Sequence, residues 1–395
     1  MNMADSIKYI GVKDHITDLF EGQYPIPHGI SYNSYLIQDE KIAVMDTVDA
    51  HFTDEWLEQI ENLCPEKTPD FLVVQHMEPD HSASVCRFMQ KYPAALLVTS
   101  KKALEILQQF WGTSFEGRFL IVKERDRLTL GSHTLRFIEA PMVHWPEVIM
   151  TYEEKTQTLF SADAFGTFGT EDSSSHIPAG WPDEAARYYF GIVGKYGMQV
   201  QKVLDKLSSL PVRAIYSLHG PRLTESIDYY LNLYRLWSTY EPDKSGMVIA
   251  YTSMYGNTRA AAEKLAELLK KQQHKVILYD LTRDEMTNAV AETFRYDTLI
   301  LATPTYNGGI FPPMQTFITH LIQRNYQNRR IAFIENGSWA PTAASAMRKL
   351  FEHSKNIRFC ETVVTIKSAL SEESDRQLLA LSEELGKAGF CSGSF

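Results

Sequence analysis

Gln75-His76-Met77-Glu78-Pro79-Asp80-His81 puts four metal-capable side chains within six residues. It follows Phe71-Leu72-Val73-Val74, a short apolar run that reads as a buried strand. Pro79 argues against helix through the segment, so the chain is expected to leave the strand extended. Alternate side chains of an extended chain project the same way, so His76, Glu78 and Asp80 can converge on one point. A helix is then expected from Ser82 to Lys91, with His81 at its start reaching a second point nearby. Two histidines and two carboxylates this close exceed the needs of one metal ion. The plain alternative is a polar turn whose histidines bond to backbone and water, and additional ligands downstream would weigh against it.

Such ligands recur where strands give way to loops. Thr134 to Glu139 reads as a strand running into Ala140-Pro141-Met142-Val143-His144-Trp145-Pro146, which holds His144 between two prolines on a stiff loop. Glu147 to Tyr152 and Thr158 to Ser161 read as a hairpin that delivers Asp163. Ala214 to Ser217 is a strand ending at His219. Taken singly, His144, Asp163 or His219 is an ordinary polar residue; with the first cluster they make seven possible ligands. Earlier, Ser34 to Ile37 and Ile42 to Thr47 read as a hairpin turning at Asp39-Glu40, and Asp54 to Leu63 as a helix. His15, His28 and His51 read as surface or turn residues, although the loop of His28 could approach a site.

The length of 395 residues calls for two domains. A net charge of −10 disfavours nucleic acid as a partner, since phosphate binding needs a basic surface. No apolar run is long enough to span a bilayer, and Met1 to Ser6 lacks the basic and apolar segments of a signal peptide. Cys64, Cys86, Cys360 and Cys391 form no C-x-x-C pair, which fits a reducing cytoplasm and excludes the usual cysteine spacings of an iron–sulfur centre.

A polar break at Tyr240 to Gly246 separates residues 1–243 from a different pattern over 246–395. Strands are expected at Met247 to Tyr251, Lys275 to Tyr279, Thr298 to Ala302, Ile331 to Ile334 and Thr362 to Ile366, with helices between, as in a doubly wound parallel sheet. The first strand leads into Thr252-Ser253-Met254-Tyr255-Gly256-Asn257-Thr258 and a helix from Arg259 to Lys271. Hydroxyls, a glycine and the N–H groups at a helix start make a cradle for phosphate. Two more strand-end loops, with Pro304, Thr305, Tyr306, Asn307 and Gly308, and with Asn336, Gly337, Ser338 and Trp339, offer glycines for close approach and aromatics for stacking. The G-x-G-x-x-G dinucleotide pattern is absent, so a nicotinamide site has no support.

The order of the first half resembles the metallo-β-lactamase fold, an αββα sandwich. There the usual hydrolase motif is H-x-H-x-D-H and binds zinc; here Glu78 replaces the second histidine, a change that favours iron or manganese. The second half resembles flavodoxin, with FMN as the implied ligand. Together they resemble the flavodiiron proteins, or A-type flavoproteins. That resemblance implies two iron ions, one held by His76, Glu78 and His144 and one by Asp80, His81 and His219, with Asp163 bridging. It also implies a tyrosine near the metals, Tyr188 or Tyr189 here. The implied reaction is reduction of dioxygen to water, of nitric oxide to nitrous oxide, or both. Electrons would come from an external rubredoxin-like protein or flavin reductase, in a head-to-tail homodimer or dimer of dimers. Two rivals are a zinc hydrolase fused to a flavodoxin and an electron carrier whose first domain is scaffold.

Overall fold

The computed structural model describes residues 6–170 and 180–387; Cys391 lies outside them. Two compact units divide between Arg235 and Leu236.

In the first unit, Phe71–Val73 is sandwiched in parallel between Ile42–Met45 and Leu96–Thr99. A strand buried on both faces has no polar side, which is why its sequence is apolar without alternation. Its neighbours still divide by parity. Leu36, Val44 and Leu72 face Trp56, Phe88 and Leu107 on covering helices. Tyr35, Ile37, Met45, Phe71 and Val73 face Phe137, Ile149 and Phe160 of a second sheet. The first sheet runs, in spatial order, Ile7–Tyr9, Tyr35–Gln38, Ile42–Met45, Phe71–Val73, Leu96–Thr99 and Phe119–Ile121; the second comprises Arg127–Thr129, Thr134–Glu139, Ile149–Glu153, Thr158–Phe160 and Ala214–Tyr216. Two sheets packed face to face with helices outside make the expected αββα sandwich. The strand Arg127–Thr129 is one the hydrophobic pattern did not indicate: it is short and its side chains are largely exposed.

The second unit is a doubly wound parallel sheet in the order Val276–Asp280, Lys244–Tyr251, Tyr296–Tyr306, Arg329–Asn336, Ile357–Ile366. This is the flavodoxin order, and its first and third strands diverge at a switch point where ligands bind. The polar stretch at 240–246 packs on this unit. Buried Arg329 donates to the Tyr240 carbonyl, and Arg295 pairs with Asp243 at 3.1 Å.

One local expectation is corrected. The chain is extended only to Glu78, whose ψ is 140°; Pro79 then occupies the first position of a helical turn, Pro79–Ser82. Proline suits that position because its missing N–H would be unpaired there anyway. Asp80 therefore leaves the turn with His81 and does not follow His76 and Glu78.

Trp56 anchors the helix-side core: it is fully buried, and its indole N–H donates to Ser34 Oγ at 3.0 Å. Trp56→Ala is expected to destabilise the protein by about 3–5 kcal/mol in chemical denaturation.

Candidate metal centre

The seven sequence-identified side chains converge, in two groups. His76, Glu78, His144 and Asp163 form one, and Asp80, His81 and His219 the other, with ligand-capable atoms inside each group within 4.8 Å of one another. The corrected backbone explains the partition: residues 76 and 78 project from extended chain, while 80 and 81 project from the helical turn. Asp163 faces both groups. Its Oδ2 lies 2.9 Å from His144 Nε2 and 3.5 Å from His76 Nε2. Its Oδ1 lies 3.4 Å from His81 Nε2 and 3.8 Å from His219 Nε2. Glu78 Oε2 sits 3.1 Å from both His76 and His144. Asp80 Oδ2 lies 3.1 Å from His81 and 3.3 Å from His219.

The imidazoles are oriented from behind. Glu147, fully buried, meets His76 Nδ1 at 2.8 Å and also accepts the Met77 N–H. His219 Nδ1 donates to the Ser31 carbonyl at 2.8 Å. Each bond leaves the Nε2 lone pair pointing inward. As a result His81 Nε2 and His219 Nε2 face each other at 3.0 Å. Gly220, just after His219, has φ +78°, and a Cβ there would collide with Thr167 Oγ1. Asp46 accepts both the backbone and side-chain N–H of Gln75, fixing the start of the motif.

These groups fit metal cations. Both oxygens of Asp80 and Oδ1 of Asp163 are buried without a hydrogen-bond donor. Burial opposes protonation of His81 and His144, yet Asp80 and Asp163 overcome it and raise them to about 10 and about 9. Burial likewise opposes charge on Asp163, but His76 and His144 hold its carboxyl well below the ordinary range. Three carboxylates gathered in one largely buried space draw positive charge to themselves.

Tyr188 reaches the cage. The Tyr188 ring is 5.6 Å from that of His219. Burial, then Asp163, Asp80 and Glu78, push its phenol well above the usual range. Tyr189 packs edge-on against Tyr234. His28 is exposed and lines a separate cavity with Phe168 and Trp181. His51 pairs with Asp49 at the surface, and His15 lies near Thr170. Glu147 escaped sequence reasoning because its partner is distant in the chain; its place after His144-Trp145-Pro146 was the available hint.

In the second unit a cavity of about 570 Å³ is lined by Ser253 to Tyr255, Asn257, Thr258, Pro304 to Gly308 and Asn336 to Ala340, with Ser368. It gathers all three sequence-identified loops and adds Ala340 and Ser368. Thr252 is buried beneath, bonded to Thr303. Gly256, at φ +90°, precedes the helix Asn257–Lys271, which has no side-chain cap. Its first N–H groups therefore remain available to an anion. Tyr255 and Trp339, each 92% exposed, present aromatic faces at the rim.

Glu147→Gln is expected to weaken metal binding by about 10–100-fold while leaving the fold intact, read by competitive chelator titration. At Gly256 a β-branched residue would meet a backbone cost of about 1–2 kcal/mol. Gly256→Val should accordingly weaken binding of a phosphate-bearing flavin roughly tenfold in a fluorescence titration.

Residues 30–220 match the ODP family beta lactamase description, and residues 248–364 match a flavodoxin domain. A putative diflavin flavoprotein of Thermosynechococcus vestitus is 35% identical over 77% of this chain and 54% of its own length. The anaerobic nitric oxide reductase flavorubredoxin of Vibrio vulnificus is 28% identical over 86% of this chain and 70% of its own. This chain thus spans about half of the first relative. Among solved structures, the flavodiiron protein of Giardia intestinalis aligns with a TM-score of 0.90 at 27% identity, covering 98% of this chain and 95% of that one. The rubredoxin oxygen:oxidoreductase of Desulfovibrio gigas shares the fold, with a TM-score of 0.91 at 24% identity and 98% coverage of both. With both halves matched in order and the metal-capable cage in place, the chain belongs to the flavodiiron proteins.

Proposed function

We propose that this flavodiiron oxidoreductase reduces dioxygen to water, nitric oxide to nitrous oxide, or both, using electrons from an external donor such as a rubredoxin-like protein or flavin reductase. The observation that carries the reading is Asp163, whose two oxygens face two separate donor groups. A shared carboxylate suits two cations about 3.5–4 Å apart. His76, Glu78 and His144 would hold one iron and Asp80, His81 and His219 the other, with Asp163 between them. FMN would occupy the second unit's cavity, its phosphate at the loop from Thr252 to Thr258. When bound, the irons and the flavin supply the electrons, four for dioxygen and two for each pair of nitric oxide molecules.

The chain's own residues shape where this happens. Glu147 and the Ser31 carbonyl fix two imidazoles, so the cage needs little rearrangement during turnover. Rings of Phe20, Tyr32 and Trp145 pack against His76, His81 and His219 and help bury them. Tyr188, held as a neutral phenol, can offer an O–H beside His219.

Glu78 weighs against the zinc hydrolase, since a hard carboxylate replaces an imidazole. The relatives' names support each gas, nitric oxide for the flavorubredoxin and oxygen for the oxidoreductase. We assign the metal function to residues 1–243 and the flavin to 246–395. By family resemblance, the flavin of one chain would meet the metals of a second in a head-to-tail homodimer. Free Cys64, Cys86 and Cys360 support a cytoplasmic location, and no helix among the described residues is long and apolar enough to cross a membrane.

Protein loaded with iron and FMN, reduced anaerobically and offered each gas separately, should consume at least one. Asp163→Ala should lower that consumption by more than about a hundredfold, since a bridging charge is lost. Two zinc ions, no iron and hydrolysis of a phosphodiester would overturn the reading.

A further inference from the structure

We propose that Tyr234 is a positioning residue that holds the Asp163 carboxylate between the two donor groups of the cage. The proposal rests on the two-cation reading given above and identifies what keeps the shared ligand in place. Asp163 has little room for error. Its Oδ2 serves His144 and His76, and its Oδ1 serves His81 and His219. A displacement of about 1 Å is enough to spoil such an arrangement.

The strand Thr158–Phe160 ends before Asp163, and the chain then turns through residues 162–165. Ala162 and Phe165, on either side of Asp163, take left-handed φ of +51° and +68°, which residues with a Cβ rarely adopt. Gly166 completes the turn: a Cβ there would press on the Asp163 carbonyl at 2.9 Å and on the Tyr188 ring at 3.1 Å. A backbone of this kind persists only where its surroundings over-determine it. On the His219 side, the Leu218 N–H donates to the Ala162 carbonyl at 2.9 Å. On the Phe165 side the holder is Tyr234, fully buried in the helix Ile227–Ser238. Its hydroxyl accepts the Phe165 N–H at 2.5 Å. Its ring also stacks on that of Phe165, with centroids 4.0 Å apart.

Hydroxyl and ring thus act on one residue: the first fixes the direction of the Phe165 N–H and the second fixes its side chain. Tyr189 backs Tyr234, its ring edge-on at 4.9 Å. Two successive tyrosines therefore brace the Asp163 loop, Tyr188 against Gly166 and Tyr189 behind Tyr234. They lie where the helix Trp181–Tyr188 passes into a π-helical turn, Tyr189–Val193, a local form often met at functional sites. Removing the Tyr234 hydroxyl takes the acceptor from a buried N–H, a costly state that the loop escapes by shifting. Asp163, two residues away, shifts with it.

The test is a double-mutant cycle read with cobalt(II), without gas or turnover. Metal-free wild type, Tyr234→Phe, Asp163→Ala and the double variant are titrated with cobalt against a competing chelator, with far-UV circular dichroism as the check on folding. Tyr234→Phe keeps the ring and its volume, so the fold should be retained. It should bind cobalt about tenfold more weakly, the lower end of what partners behind metal ligands contribute. In the Asp163→Ala protein the same substitution should change nothing, since the carboxylate through which it acts is gone. Tyr234→Leu, which also loses the stacked ring, should weaken binding further when Asp163 is present. An equal loss with and without Asp163 would reveal a general packing role and overturn the proposal, as would unchanged binding in Tyr234→Phe. A wild type that takes up fewer than two cobalt ions per chain overturns the two-cation reading as well. Gas consumption by wild type loaded with iron and FMN is measured separately; a protein inert to both gases sinks the proposed reaction and leaves the result of the cycle standing.

Discussion

Three carboxylates from distant parts of the chain, Glu78, Asp80 and Asp163, share one water-poor space among four imidazoles. Their mutual repulsion is the constraint that the rest of the first unit answers. Like charges in a poorly polarisable interior cost several kcal/mol unless something positive lies between them. The fold therefore has to hold the backbone rigidly enough that the groups cannot relax apart. Asp46 and Thr47, at the end of a central strand, do this for the motif: Asp46 binds Gln75, and both the N–H and the hydroxyl of Thr47 bind the His81 carbonyl. Ser82 closes the loop from the other side by donating to the Met77 carbonyl. The αββα sandwich serves as a clamp for a charge distribution that would otherwise open.

That clamp also explains the division of labour among the histidines. His76 and His219 are each tied through Nδ1 to a fixed acceptor. His81 Nδ1 is buried with no partner. Two rings are therefore set by the protein before any metal arrives, and the third is oriented chiefly by what lies at its Nε2.

Much of this was legible in the chain, and the part that was not has a physical cause. Apolar runs such as Phe71 to Val74 and the hairpin around Asp39-Glu40 carry local signals, so strands and turns could be placed. The seven cage residues could be listed because their types are rare together at strand ends. The partition into two groups came from the family resemblance and not from the local pattern, because it depends on Pro79 opening a helical turn where it was expected to keep the chain extended. Glu147 was missed for another reason: its role arises from approach to His76, 71 residues earlier in the chain, and its place just after His144-Trp145-Pro146 was the only local hint. In the second unit the three loops were found whole, since regular β–α alternation brings strand ends to one side by topology alone; Ser368 was missed because its loop follows the last strand without glycine or aromatic markers.

The helix Asn257–Lys271 begins at Gly256 with no side chain closing its first turn. Natural helices usually spend a serine, threonine or aspartate on that task. Here the phosphate of the coenzyme would take over the job, so capture of the flavin and consolidation of this helix become a single thermodynamic event. Cellular flavin supply would then help set how long the newly made chain survives.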